Sequence, residues 1–118
     1  MPEAAHSVEL IDYGFDLSEE LPGDAILQVT NNATMEPHEM IVARLDEGAS
    51  DEQVVDAIER SDPVPAVPLG GVQAILPGRS QHLQLDLTPG NYVIWCQVPS
   101  PDGTAHAAKG MIRTVTVG

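Results

Sequence analysis

Apolar and polar residues alternate with a period of two along much of the chain, and this pattern predicts β-strands. The clearest case is residues 83–87, in which Leu alternates with Gln and Asp. The turn signal Thr88-Pro-Gly follows, and then the strand-forming segment 92–96, so the sequence predicts a β-hairpin here. Similar patterns predict further strands at residues 8–17, with a kink at Gly14, and at 25–30, 39–45 and 111–117.

Only one segment has the pattern of a helix. Ser50 and Gln53 have the spacing of a capping box, and the apolar residues Val54, Val55 and Ile58 follow on one face. We therefore expect a helix of about ten residues. Residues 62–71 contain three prolines, which remove backbone donors, so this segment is predicted to be a surface loop.

About seven short strands separated by turns predict an all-β sandwich with one short helix in an inserted connection. A chain of 118 residues is long enough for one core, and we expect a single domain, 1–118. The sequence contains no apolar stretch long enough to span a membrane. Its start lacks the pattern of a signal peptide, and we expect a mature domain whose signal or anchor is absent from this chain.

The net charge of −13 is unevenly distributed. Residues 1–62 hold 16 acidic and two basic residues, whereas residues 63–118 hold two acidic and three basic ones. Nucleic acid is a poor candidate partner, because phosphate binding requires clustered Lys and Arg. The acidity favours either solubility or a basic docking partner.

Four side chains carry the strongest chemical signal. Cys96, His106 and Met111 lie in one C-terminal segment, and His38 lies far upstream. Cys96 ends a predicted strand, and alternation along this strand places it on the opposite face from Trp95. Each of the four donors alone would be interpreted as a core or loop residue. Together, two imidazoles, a thiolate and a weak axial thioether form the ligand set of a blue-copper electron-transfer site.

In these segments the chain resembles the cupredoxins. Residues 31–38 resemble the first-ligand segment of that family, and the stretch from Tyr92 through Cys96 and His106 to Met111 resembles its C-terminal ligand loop. The resemblance implies a Greek-key β-sandwich that binds one copper ion. It also implies that His38 and His106 are the imidazole ligands, Cys96 the thiolate and Met111 the axial ligand.

The resemblance has three departures. The nine residues between Cys96 and His106 make a longer loop than in plastocyanin or azurin, closer to that of copper nitrite reductase. Trp95 stands where the reductase has a catalytic-copper histidine, so we expect no catalytic residues and no enzyme. Glu39 stands where plastocyanin-like members have an Asn that links the ligand loops, and its carboxylate could either stabilise oxidised copper or point into solvent.

We therefore expect a monomeric one-electron carrier, in the periplasm or at the cell surface. Two alternatives remain open: a copper-delivery protein of the same fold, and a metal-free interaction module. The redox partner is expected to dock around an exposed His106, over small apolar residues: Pro99, Pro101, Ala105, Ala107 and Ala108.

Overall fold

The computed structural model describes residues 6–11, 14–17, 20–21, 26–32, 36–84, 86–99 and 102–117. These residues form nine strands, one α-helix and one 3₁₀ helix. The strands are β1 His6–Ile11, β2 Gly14–Asp16, β3 Glu20–Leu21, β4 Ile26–Asn31, β5 His38–Leu45, β6 Ala66–Ile75, β7 Ser80–Gln84, β8 Gly90–Trp95 and β9 Ile112–Val117. The helices are α1 Asp51–Arg60 and the 3₁₀ helix His106–Lys109.

The strands form two sheets, which confirms the predicted β-sandwich. One sheet has the order β2-β1-β4-β7, and the other has the order β3-β9-β8-β5-β6. The main core lies between the sheets and contains apolar residues from both, among them Val8, Leu27, Met40 and Ile94.

Strand β8 lies in the middle of the five-stranded sheet and is buried on both faces, because an apolar cluster covers each face. Tyr92 and Ile94 point into the main core, whereas Val93 and Trp95 belong to a second apolar cluster. The period of two in residues 92–96 therefore places consecutive side chains in two different cores.

Helix α1 covers this second cluster, as the inserted connection between β5 and β6. Its predicted length is confirmed, and so is its capping box, in which Ser50 Oγ accepts from the backbone N–H of Gln53. Val54 and Ala57 are the buried residues of the helix. Within the described residues, neither helix has the length and apolar character that a membrane crossing requires.

The loop predicted at residues 62–71 is wrong, because strand β6 begins at Ala66. Strand β6 lies at the edge of its sheet and pairs only with β5 among the described strands. A proline on an edge strand can direct its missing donor away from the ladder, which makes Pro68 compatible with a strand.

The predicted hairpin is also wrong, because β7 and β8 belong to different sheets. Thr88-Pro-Gly carries the chain from one sheet to the other. Tyr92 Oη donates to the carbonyl oxygen of Thr88 at 2.6 Å, and the Arg44 guanidinium donates to Thr88 Oγ1 and Tyr92 Oη. These hydrogen bonds hold the crossover in place. Its residues also occur in hairpin turns, which is why the sequence pattern predicted a hairpin.

The single kinked strand predicted at residues 8–17 is in fact two antiparallel strands. Ile11 of β1 pairs with Gly14 of β2, so the chain reverses direction rather than bending. The reversal places Phe15 opposite Leu10, and both are buried in the main core.

Gly71 allows β6 to approach β5 closely, and its neighbour Gly70 provides a matched control. Both have positive φ, but only at Gly71 would a Cβ atom overlap the carbonyl oxygen of Met40. We expect Gly70→Ala to cost about 1–2 kcal/mol through backbone strain alone. Gly71→Ala should cost a further 1–3 kcal/mol or so through overpacking. Chemical denaturation measures both, and equal losses would contradict the close approach of the two strands.

Candidate metal centre

Three potential metal ligands lie together at one end of the sandwich. His38, Cys96 and His106 are all buried, and their ligand atoms lie within 4.8 Å of one another. His106 Nδ1 lies 3.0 Å from His38 Nδ1 and 3.5 Å from Cys96 Sγ. His106 therefore contacts both His38 and Cys96 directly, and all three are sequence-predicted ligands.

These distances fit a shared metal ion. Two nitrogens that each bind a metal at about 2.0 Å with tetrahedral angles lie about 3.3 Å apart, and a nitrogen and a sulfur lie about 3.5 Å apart. The separations of His106 from His38 and from Cys96 are close to these values, and two imidazoles with a thiolate suit copper. The donor set therefore fits a copper ion.

Neighbouring strands bring the donors together. His38 is the first residue of β5, and Cys96 directly follows β8, its neighbour in the sheet. Cys96 belongs to the main core and Trp95 to the second cluster, which confirms their predicted opposite faces. His38 and Cys96 consequently lie at the same end of two adjacent strands.

Met111 lies beside this group and contacts His38. Its side chain is fully buried. Its backbone N–H donates to the carbonyl oxygen of His106, and its own carbonyl oxygen accepts from the N–H of Cys96. The C-terminal segment therefore holds Cys96, His106 and Met111 through its own backbone.

The surroundings of the Cys96 thiol favour its neutral form in the absence of metal. Burial raises the pKa of Cys96, and backbone N–H groups of Glu39 and Val98 offset part of this rise. The Glu39 N–H lies 3.3 Å from Sγ. Metal binding at this thiol must therefore release a proton.

Glu39 does not simply point into solvent. Its carboxylate accepts from the backbone N–H of Gln97 at 3.1 Å, one residue after Cys96. Together with the bond from its own N–H to Cys96 Sγ, this contact ties the His38 segment to the ligand loop. The Glu39 carboxylate thus links the two ligand segments, a role that the resemblance implies for an asparagine.

The expectation of an exposed His106 is wrong, because the side chain is fully buried. Its Nε2 atom lies 3.1 Å from Glu36 Oε1, and the Glu36 side chain is 19% exposed. The carboxylate therefore covers the imidazole edge that was expected to face solvent.

The expected apolar surface around His106 changes accordingly. Ala107 is 1% exposed and packs in the second core cluster, so it cannot contact a partner. Pro99 is exposed, and Ala105 and Ala108 are half-buried. Pro101 lies outside the described residues.

Asn31 is a buried polar residue whose role the sequence did not reveal. Its Nδ2 donates to the carbonyl oxygens of Glu36 at 3.0 Å and Ile75 at 2.7 Å. Ile75 pairs with His38 across β5 and β6. Asn31 therefore anchors the backbone on both sides of the first ligand.

Similar solved structures show which fold surrounds these residues. Auracyanin from Roseiflexus castenholzii is 23% identical, with 98% of this chain and 99% of that chain covered and a TM-score of 0.64. Auracyanin A, a "blue" copper protein from the green thermophilic photosynthetic bacterium Chloroflexus aurantiacus, is 17% identical over 95% and 96% of the two chains, with a TM-score of 0.65. Rusticyanin from Thiobacillus ferrooxidans is 18% identical over 96% and 75%, with a TM-score of 0.61.

No family model matches the chain, and neither does any curated protein sequence. The similar structures are cupredoxins, and at these identities the likeness establishes the fold that they share with this chain.

Substitution of Asn31 tests whether its two hydrogen bonds stabilise the backbone around His38. Asn31→Asp replaces the donor to two carbonyl oxygens with a buried carboxylate, so we expect a loss of about 2–4 kcal/mol in unfolding free energy. The control is Asn91→Asp, because exposed Asn91 uses its amide oxygen to accept from Thr116 and Asp keeps an acceptor there. Denaturant titration measures both variants, and equal small losses would show that the Asn31 bonds do not matter.

Proposed function

We propose that this chain, which has the cupredoxin fold, is a one-electron carrier that binds one copper ion through His38, Cys96, His106 and Met111. The observation that carries the proposal is the buried convergence of His38, Cys96 and His106 on one point. The contact of Met111 with His38 adds the fourth donor. The presence of "blue" copper proteins among the similar structures agrees with this assignment. We also propose that residues 1–118 form one domain, because the described strands of both sheets share one core.

The ligand set suits a metal that cycles between two oxidation states. Bound copper would supply one-electron chemistry by alternating between Cu(I) and Cu(II). The chain would supply soft donors, Cys96 and Met111, together with two imidazoles. It would keep all four buried, so that water does not compete for the metal and the surroundings need little rearrangement.

A carrier agrees better with the site than an enzyme does. Trp95, which precedes the thiol, packs in the second core cluster and offers no further metal ligand. Four protein donors would together fill the positions of a four-coordinate metal, and their burial restricts the access of a substrate. We therefore propose electron transfer without a catalytic step of its own.

Copper titration tests the proposed function. We expect one Cu(II) per chain and a strong thiolate-to-copper charge-transfer band, because Cys96 would be a direct ligand. Cys96→Ser should abolish the band even where weak copper binding persists. His82→Gln is the control, since His82 is an exposed residue of β7 and the band should remain. A wild-type chain that binds copper without colour would contradict the assignment.

Voltammetry tests the role of Met111. We expect Met111→Gln to keep one copper and lower the reduction potential, since an amide oxygen is a harder donor that favours Cu(II). Met111→Leu keeps the apolar volume without a donor, and the potential should rise. Each tenfold change in the relative affinities for Cu(II) and Cu(I) corresponds to about 59 mV. An unchanged potential in both variants would mean that Met111 is not an axial ligand.

The same voltammetry separates electron transfer from copper delivery. A carrier should give a reversible wave and retain its metal, because three proposed ligands share one hydrogen-bonded segment. Rapid loss of copper on reduction, to a chelator of modest affinity, would favour delivery. A chain that binds no metal would favour an interaction module.

We further propose that a redox partner docks at the metal end of the sandwich, over Pro99, Ala105, Ala108 and Leu76. Leu76 is 61% exposed and follows Ile75, the residue that pairs with His38. The acidic residues of the first half would steer a basic partner from a distance.

The negative charge of the first half also opposes self-association, which supports a monomer. We propose the periplasm or the cell surface as the location, which cell fractionation would test.

Two variants on strand β6 and its flank test the docking surface. Leu76→Asp should slow electron transfer with a basic c-type cytochrome by about tenfold at every ionic strength, because the contact would desolvate a carboxylate. The control is Val67→Asp, since Val67 is 56% exposed but pairs with Arg44 at the opposite end of β5. Added salt should slow both variants through screening. Equal rates for the two variants, measured by stopped-flow absorbance, would place docking elsewhere.

A further inference from the structure

The Glu36 carboxylate lies against the outer nitrogen of a proposed copper ligand. Glu36 Oε1 is 3.1 Å from His106 Nε2, and the imidazole has no exposed surface. The two residues are 70 positions apart, so the contact depends on the tertiary fold.

The backbone around Glu36 restricts where this carboxylate can lie. The Glu36 carbonyl oxygen accepts from Asn31 Nδ2 at 3.0 Å, and Asn31 is itself fully buried. Pro37 follows and fixes its own φ angle. The hydrogen bond at the Glu36 carbonyl and the fixed φ angle of Pro37 therefore restrict the main chain from which the carboxylate reaches His106.

The contact determines which nitrogen of His106 carries the proton. An ionised carboxylate can only accept hydrogen bonds, so Nε2 must donate. In the neutral imidazole, Nδ1 is then left with a lone pair. That Nδ1 atom is the one that lies 3.5 Å from Cys96 Sγ and 3.0 Å from His38 Nδ1.

We propose that Glu36 is a positioning residue of the copper site, which holds His106 in the tautomer that presents Nδ1 to the metal and lowers the reduction potential through its charge. This inference rests on the proposed copper function. Carboxylates that bind the second nitrogen of a ligand histidine fix the ring orientation and raise the basicity of the ligand. A negative charge at this place stabilises Cu(II) more than Cu(I), because Cu(II) carries the larger positive charge.

The position of Glu36 also affects the path of the electron. The ring edge of His106 lies beneath the carboxylate rather than at the surface. A partner at the metal end would therefore meet Glu36 before His106, and the Glu36 side chain would form part of the contact.

Three variants separate positioning from charge. Glu36→Ala removes both the acceptor and the charge, whereas Glu36→Gln keeps an acceptor oxygen and removes the charge. Glu39→Gln is the control for the tautomer alone, because the Glu39 carboxylate bonds to the backbone of Gln97 and not to an imidazole.

The first measurement uses the metal-free protein and ¹⁵N NMR of its histidine side chains. We expect the Nε2–H tautomer of His106 in the wild type, in Glu36→Gln and in Glu39→Gln. In Glu36→Ala we expect a mixture of tautomers and faster exchange of the Nε2 proton with solvent. An Nε2–H tautomer with unchanged proton exchange in Glu36→Ala would overturn the positioning role.

The second measurement uses the copper-loaded protein. We expect Cu(II) affinity to fall about 10–100-fold in Glu36→Ala. In Glu36→Gln the potential should rise while the tautomer is retained, by about 59 mV for each tenfold loss of Cu(II) affinity relative to Cu(I). A potential that does not change in Glu36→Gln would overturn the role of the charge.

The first measurement does not depend on the proposed function, because it needs no copper. If the chain binds no copper, the NMR comparison still decides whether Glu36 sets the tautomer. If copper gives the expected colour but the Glu36 variants behave like the wild type, only this inference is lost. Should Glu36→Ala not fold, Glu36→Leu replaces it in the NMR comparison, because Leu fills a similar volume and offers no acceptor. Glu36→Gln still decides the role of the charge through the potential.

Discussion

Backbone hydrogen bonds within the C-terminal ligand segment are the constraint on which the site depends. The Cys96 N–H donates to Met111 O at 3.1 Å, and the Met111 N–H donates to His106 O at 3.1 Å. The Ala107 N–H donates to Cys96 O at 2.8 Å, and the His106 N–H donates to Val98 O at 2.9 Å. These bonds continue from the β8–β9 ladder and close the segment on itself. Three proposed ligands are thereby held together by the main chain, without help from a metal.

The sandwich supplies the fourth ligand and the burial. Strand β5 lies beside β8, so His38 begins its strand beside the point where Cys96 follows the other. Two carboxylates then connect the halves of the site, Glu39 to the backbone after the thiol and Glu36 to the imidazole of His106. An acidic chain thus places two of its many carboxylates where they contact the backbone or side chain of the ligand loop.

Local patterns predicted the features that depend on near neighbours. The capping box predicted α1, and alternation in residues 92–96 predicted that Cys96 and Trp95 face opposite cores. The cluster of His38, Cys96 and His106 joins distant residues, and its prediction came from the combination of donor types and from the resemblance of their segments to the cupredoxins.

The features that the sequence did not predict depend on distant contacts. Thr88-Pro-Gly has the residues of a hairpin turn, and only the bonds from Arg44 and Tyr92 distinguish it as a crossover between sheets. The prolines in residues 62–71 indicated a loop. The sequence did not show that β6 lies at the edge of its sheet, where a proline is compatible with a strand. The cover of Glu36 over His106 joins residues 70 positions apart, which no local pattern records.

The most direct test of the central claim is X-ray absorption spectroscopy at the copper edge of the loaded protein. We expect two nitrogen neighbours at about 2.0 Å and one short sulfur neighbour, because two imidazoles and the Cys96 thiolate should bind the same ion. A spectrum that contains only nitrogen and oxygen neighbours would show that the buried thiol does not bind the metal, and it would contradict the copper site.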